Sequence, residues 1–370
     1  MSDYLTYAGT YTDGTSRGIY GWRFSSESGR LTPIGLVAET VNPSFLAVHP
    51  SQRFLYAVGE APTGLLSAYS IDAGTGALQL LNQVASRGCG PCHVALDAAG
   101  TIAIAANYGS GSVAAWKIMA DGRLGDAAAF LQKSGCGVNR LRQAGPHPHG
   151  AFFSPDNRFV VAPDLGLDTL CLYRLDPRLD SLEPADPPSV RLRPGAGPRH
   201  FAFHPAGRHG YVLNELDSTI TAFAFEPAHG ALREFSTVST LPPGFAGDNI
   251  AAEIAVDRAG RFLYASNRGA DNLAVYAIGR QGSLRLIEHV STQGRTPRHF
   301  AIDPAGGWLL AANQDSDNLV VFRRDLATGR LTATGPPIEA AQPACVVFVE
   351  AGKATSPRRC RESSAPVAEE

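Results

Sequence analysis

Three arginines, Arg199, Arg268 and Arg298, are the residues of this chain best suited to hold an anion. A guanidinium stays charged at physiological pH and presents a planar fork of donors that fits phosphate or carboxylate. Groups able to move a proton stand near them. His147-Pro148-His149 follows a long polar insertion from Gln132 to Gly145, and Glu215 lies beyond Arg199 in the same stretch of chain. An imidazole titrates near neutrality and serves as general acid or base. His149 is the favoured base, His147 the second, and Glu215 the best carboxylate for the same work. Glu253, Gln314 and the recurring amides Asn214 and Asn267 complete the set of candidate substrate ligands. Each has a plainer alternative: arginines and glutamates can tie elements together as ion pairs, and asparagine caps backbone groups in turns. His200 and His299 follow their arginines directly. Strand alternation is expected to point them away from their predecessors, to pack between elements.

The elements that must position these groups are copies of one unit. The segment from Pro198, PRHFAFHPAGRHGYVLNELDSTITAFAFEPAHGAL, is matched by that from Pro297, PRHFAIDPAGGWLLAANQDSDNLVVFRRDLATGRL. Equivalent segments begin at Pro43, Pro91, Pro148 and Ala251, so successive starts are 48, 57, 50, 53 and 46 residues apart. That period belongs to propeller blades of about 40 to 50 residues. Within a copy, Phe201-Ala202-Phe203, Tyr211-Val212-Leu213 and Ile220 to Phe225 read as strands, and Leu232 opens a fourth. His204-Pro205-Ala206-Gly207 and Pro227 to Gly230 are turns between them. Gln342 to Val349 resembles a first strand with nothing after it, and Tyr4 to Leu31 a blade without its first strand. Six whole copies and one assembled from both termini give an all-β, seven-bladed β-propeller, closed by pairing of the N- and C-terminal segments. One domain is expected over 1–350, with a polar, disordered tail at 351–370.

This architecture gathers the candidate residues. If the first strand of a blade runs from one face to the other, the second returns, so the start of one meets the end of the next. The first strand is innermost, and its first residues rim the central channel. Ser44-Phe45, Cys92-His93, His149-Gly150, Arg199-His200, Ala252-Glu253 and Arg298-His299 stand at the starts. Gly59-Glu60, Asn107-Tyr108, Asp164-Leu165, Asn214-Glu215, Asn267-Arg268 and Asn313-Gln314 stand at the ends. They form a ring at one mouth, which reads as a binding site for an anionic small molecule.

The composition narrows the remaining classes. Among 370 residues, 32 Lys and Arg against 34 Asp and Glu leave no basic excess for nucleic acid. No apolar run approaches the roughly 18 residues that span a bilayer. Met1-Ser2-Asp3-Tyr4-Leu5 lacks a basic and then apolar leader, so a cytoplasmic protein is expected, as a monomer or weak homo-oligomer. Cys89-Gly90-Pro91-Cys92 has redox spacing, but a strand follows it rather than a helix. No zinc spacing occurs. Strand-end oxygens suit Ca²⁺, yet three arginines at the same mouth oppose a dication. Neither a metal nor a cofactor is expected.

With these residues in view, the chain resembles the seven-bladed propeller lactonases of the cytosolic 6-phosphogluconolactonase type, related to the carboxymuconate-lactonizing enzymes. The resemblance runs from Tyr4 through Val349. It is most specific at Gly197-Pro198-Arg199-His200 with Tyr211 to Glu215, at Glu253 with Ser266-Asn267-Arg268-Gly269, and at Thr296-Pro297-Arg298-His299 with Ala312 to Ser316. It implies metal-independent hydrolysis of 6-phosphogluconolactone, with His149, Arg199 and Glu215 in the positions of the histidine, arginine and glutamate proposed in the lactonizing relatives. Arg268 and Arg298 would hold the phosphate or carboxylate, Arg199 would polarise the lactone carbonyl, and His149 or Glu215 would activate water. Gly59 replaces an asparagine common in the family, and no role is carried to Glu60. Two alternatives are a lactonizing cycloisomerase using the same arginines, and a non-catalytic propeller that binds a metabolite or a protein.

Overall fold

The structure is a computed structural model that describes residues 3–176 and 181–350. The expected tail at 351–370 lies outside the described residues. Alternating bulky and small residues in short runs, broken by Pro and Gly turns, fold into seven four-stranded antiparallel sheets. Blade 1 begins with Leu46–Val48, blade 2 with Pro91–Leu96, blade 3 with Phe152–Phe153, blade 4 with Pro198–Phe203, blade 5 with Ile250–Val256 and blade 6 with Pro297–Ile302. Blade 7 is the composite. Its inner strand Pro343–Glu350 pairs antiparallel with Asp3–Thr10, Thr6 standing opposite Phe348, and Gly18–Ser25 and Leu31–Glu39 complete it. This closure joins the N- and C-terminal strands in one sheet and completes the ring of seven blades.

The core is divided into seven layers, one between each pair of neighbouring blades. Phe54, Tyr56 and Ala68 of blade 1, for example, pack on Val94, Ala105 and Trp116 of blade 2. Polar rivets repeat across these layers. The second-strand tyrosines Tyr7, Tyr56, Tyr211 and Tyr264 each donate a hydrogen bond to the carbonyl of a turn glycine in the next blade: Gly76, Gly122, Gly282 and Gly329. At Gly122 φ is +86° and an added Cβ would lie 2.4 Å from the Phe54 ring, so both the turn and the packing require glycine.

One local irregularity sets the direction of the site residues. In blade 4, Pro198 faces Asn214 but His200 faces Leu213, leaving Arg199 as the extra residue of a β-bulge. Cys92 in blade 2 and Arg298 in blade 6 sit on the same bulge. In blade 5, Ala252 and Glu253 fall within the equivalent shift. A bulge breaks the two-residue alternation, so consecutive side chains turn towards the axis together.

Candidate active site

Strand-one starts and strand-two ends do meet at one mouth, and the bulges crowd it with charge. Glu215, at the end of the second strand of blade 4, is 2% exposed and lies at the centre. Arg142 Nη2 donates to its Oε1 at 2.5 Å, and Arg268 Nη2 to Oε2 at 2.9 Å. Arg199 Nε stands 3.1 Å from the same Oε2, without the alignment of a hydrogen bond. Burial alone would raise the Glu215 carboxyl, but Arg268, Arg199 and Arg142 prevail and hold it at about 2. Arg199 also donates to the carbonyl of Ala252, which stitches blade 4 to blade 5, and Arg268 to that of Ala251 at 3.1 Å within blade 5. Burial pushes Arg268 down to about 9, against the pull of Glu215. The ion-pair alternative therefore describes the resting contacts of Arg199, Arg268 and Glu215.

His149 is 6% exposed, its Nε2 3.9 Å from Glu215 Oε2 and its Nδ1 3.7 Å from the Cys92 sulfur. Burial, followed by Arg199 and His200, holds its pKa well below 6.5, so the ring is neutral at pH 7. His147 is half-buried. Its Nδ1 donates to the Tyr108 carbonyl at 2.8 Å and its ring stacks on Tyr108 with centroids 4.4 Å apart. The Tyr108 ring also meets His149 edge-on, and its hydroxyl bonds with Arg142. Arg298 lies on the opposite side of the ring. Its Nη2 donates to the Tyr11 hydroxyl at 2.7 Å and its guanidinium sits 5.1 Å over the Tyr11 ring. Burial opposes the Arg298 charge, but Tyr11 and Glu60 keep its pKa raised. Tyr11 and Ser44 both donate to Glu60 Oε2. Gln314 is half-buried, with an Oε1 that has no partner among the described residues.

Several expectations are corrected here. His200 and His299 do not pack between blades. The bulge turns His200 into the channel, where its Nδ1 pairs with Glu253 Oε2 at 2.9 Å and its ring meets Phe45, His93 and Phe152. His299 Nε2 stands 3.4 Å from the same Glu253 oxygen. Glu253 thus faces this plug below the mouth, its carboxyl raised by burial and lowered less by His299 and Arg199. Asn267 is fully enclosed: Nδ2 donates to the Thr240 carbonyl, and Oδ1 accepts from Thr240 and Asn249. Asn214 Nδ2 is spent on the hydroxyls of Thr219 and Thr221. Both amides serve as turn caps. Sequence reasoning missed Arg142, because it lies in the insertion outside the repeat, and Tyr11, whose blade lacks its first strand in the sequence. Glu60 and Tyr108 were legible as ring positions but carried no role. Cys89 and Cys92 are free thiols, and no cluster of three metal-ligating residues occurs among the described residues.

A buried carboxylate under three arginines, a neutral histidine beside it and a fourth arginine across the channel define a propeller that handles an anionic ester-like substrate. The chain belongs to the lactonase, 7-bladed beta-propeller family, whose profile matches residues 5–348. It is 38% identical over 351 residues to the 6-phosphogluconolactonase of Bacillus subtilis, covering 94% of this chain and 99% of that one. A 6-phosphogluconolactonase of Formosa agariphila is 35% identical over 342 residues, with 88% and 94% covered. Among solved structures, the periplasmic gluconolactonase of Pseudomonas aeruginosa matches with a TM-score of 0.89 and 36% identity over 95% of this chain and 100% of its own.

Proposed function

We propose that the protein is a cytoplasmic lactone hydrolase that opens 6-phosphogluconolactone to 6-phosphogluconate. The observation that carries this reading is the pairing of a cation-rich mouth with a neutral imidazole. Four arginines gather around the ring against the carboxylates Glu215 and Glu60, while His149 stands ready to accept a proton. Arg298 and Gln314 hold the hydroxyl-bearing end of the substrate. Arg199 and Arg268 face the lactone carbonyl and stabilise the oxyanion, a term worth about 3 to 4 kcal/mol for one well-placed donor.

His149 Nε2 takes a proton from water as the water oxygen bonds to the carbonyl carbon. The imidazolium so formed lies 3.9 Å from the Glu215 carboxylate, which stabilises it. Collapse of the tetrahedral intermediate breaks the ring C–O bond, and the leaving alkoxide recovers the proton from His149. Glu215 itself, with a pKa of about 2 and arginines on both oxygens, is a poor base. It acts by its charge, supporting the imidazolium from the Nε2 side of the ring.

The test is a coupled assay on freshly generated 6-phosphogluconolactone beside unphosphorylated gluconolactone, with spontaneous opening subtracted, for the native protein and Arg199→Ala. Enzymatic opening lost in the variant supports the reading. No rate above background on either lactone overturns it and favours a cycloisomerase or a binding propeller. Preference for gluconolactone would align the protein with its Pseudomonas relative instead.

A further inference from the structure

Arg142 stands apart from the other cations of the site. Arg199 and Arg268 are carried by strands, with side chains only 4% and 8% exposed, whereas Arg142 is on the loop between blades 2 and 3 and is 37% exposed. The loop does not depend on it. Buried Gln143 anchors the turn to the Leu165 carbonyl and to Asp168, each at 2.8 Å. Asn139 caps the amides of Leu141 and Arg142, and the Gly137 amide bonds the Gln143 carbonyl. The guanidinium can therefore leave Glu215 while its backbone stays in place. In the resting site its bond to Oε1 completes a set of three cations around one carboxylate, and that leaves Glu215 little charge to offer His149.

We propose that Arg142 is a specificity-determining residue that passes from Glu215 to the phosphate of the bound lactone, so that the substrate's own phosphate frees the carboxylate beside His149. This inference rests on the lactonase reading above. A phosphate dianion offers the Arg142 fork two oxygens and twice the charge of a carboxylate. Once Arg142 has moved, Glu215 keeps Arg199 and Arg268 but is held by one cation fewer, so the imidazolium that forms 3.9 Å from its Oε2 is better supported. A lactone without phosphate leaves Arg142 where it is and reacts slowly. Selectivity for the phosphorylated substrate is then expressed in kcat as well as in KM.

Two measurements test this. In the native protein, phosphite added in trans activates gluconolactone hydrolysis saturably, after subtraction of the phosphite-catalysed background. In Arg142→Gln, kcat/KM for 6-phosphogluconolactone falls, kcat for gluconolactone rises about tenfold as the carboxylate beside the proton acceptor is freed, and phosphite no longer activates. Activity falling in parallel on both lactones would show a structural brace. An increase confined to KM for the phosphorylated substrate, with no phosphite effect in the native protein, would show a plain phosphate ligand. Either result overturns the inference and leaves the lactonase reading intact, whereas a native protein inactive on both lactones overturns both. The phosphite experiment needs no variant and decides the matter even if Arg142→Gln folds poorly.

Discussion

Replacing Glu215 by Gln removes one charge and almost no volume, and its effect can be worked from the geometry. The carboxylate is buried, and its nearest nitrogens on Arg142, Arg268 and Arg199 lie at 2.5, 2.9 and 3.1 Å. Removing one partner of a buried ion pair leaves uncompensated charge and destabilises by about 3 to 5 kcal/mol. The pKa gives an independent figure. A carboxyl lowered from 4.5 to about 2 contributes on the order of 3 kcal/mol at about 1.4 kcal/mol per unit. Because the folded pKa is depressed, this stability is fully present above pH 4.5 and is lost as the pH falls towards 2. A chain of this size unfolds with an entropy of about 0.8 kcal/mol/K, so Glu215→Gln should melt about 4 to 6 °C lower at pH 7. Thermal melts of both proteins across pH 7 to 2.5 check this. The gap should hold from neutrality to pH 4.5 and then narrow, since below 4.5 the unfolded chain's Glu215 takes up a proton that the folded carboxylate refuses until about pH 2. A gap under about 1 °C at neutrality, or one that does not narrow in acid, would refute the reasoning. Glu215→Gln/Arg268→Met, which removes one of the stranded cations, should recover part of the loss.

His149→Asn should lower kcat/KM by about 10²- to 10⁴-fold; in the native enzyme kcat/KM should stay level from pH 8 to 6.5 and decline only in acid, because the buried ring is already neutral there. Arg298→Lys keeps the charge but loses the fork over Tyr11; KM for the phosphorylated and the unphosphorylated lactone alike should rise about tenfold, with a smaller change in kcat, by steady-state kinetics. Gly166→Ala would place a Cβ 1.8 Å from the Gly145 carbonyl and push the insertion away from blade 3; activity should fall with a stability loss of about 1 to 3 kcal/mol by thermal melt. Truncation after Gln342 uncovers the edge of Asp3–Thr10; the shortened chain should aggregate in size-exclusion chromatography.

The propeller was legible because its physics repeats. Each blade needs the same turn glycines and prolines at the same offsets, so a residue such as Leu232 or Leu331 marks the same fourth-strand start in copy after copy. The closure was legible for the same reason: Pro343–Glu350 carries a first-strand pattern, and Asp3–Thr10, from a blade that lacks one, is the strand it pairs with. Gathering at one mouth followed from strand order alone, without knowledge of any side-chain contact.

What the repeat hides is whatever departs from it. Alternation along an inner strand predicts that Arg199 and His200 diverge, yet one extra residue in the ladder turns both to the axis and converts two presumed packing histidines into a plug around Glu253. A bulge of this kind leaves no composition signal, because its cause is the pairing register between two strands. The asparagines mislead in the opposite sense. They recur as a functional set would, but Asn107, Asn267 and Asn313 make the same internal bond, to the carbonyls of Ser86, Thr240 and Thr292. Arg142 is invisible for a third reason: it lies in an insertion, so nothing in the other blades corresponds to it, and only the fold shows that this loop reaches Glu215. In this scaffold the recurring asparagines belong to the architecture, and the chemistry proposed here rests on residues that only some blades carry (Arg142, His149, Arg199, Glu215).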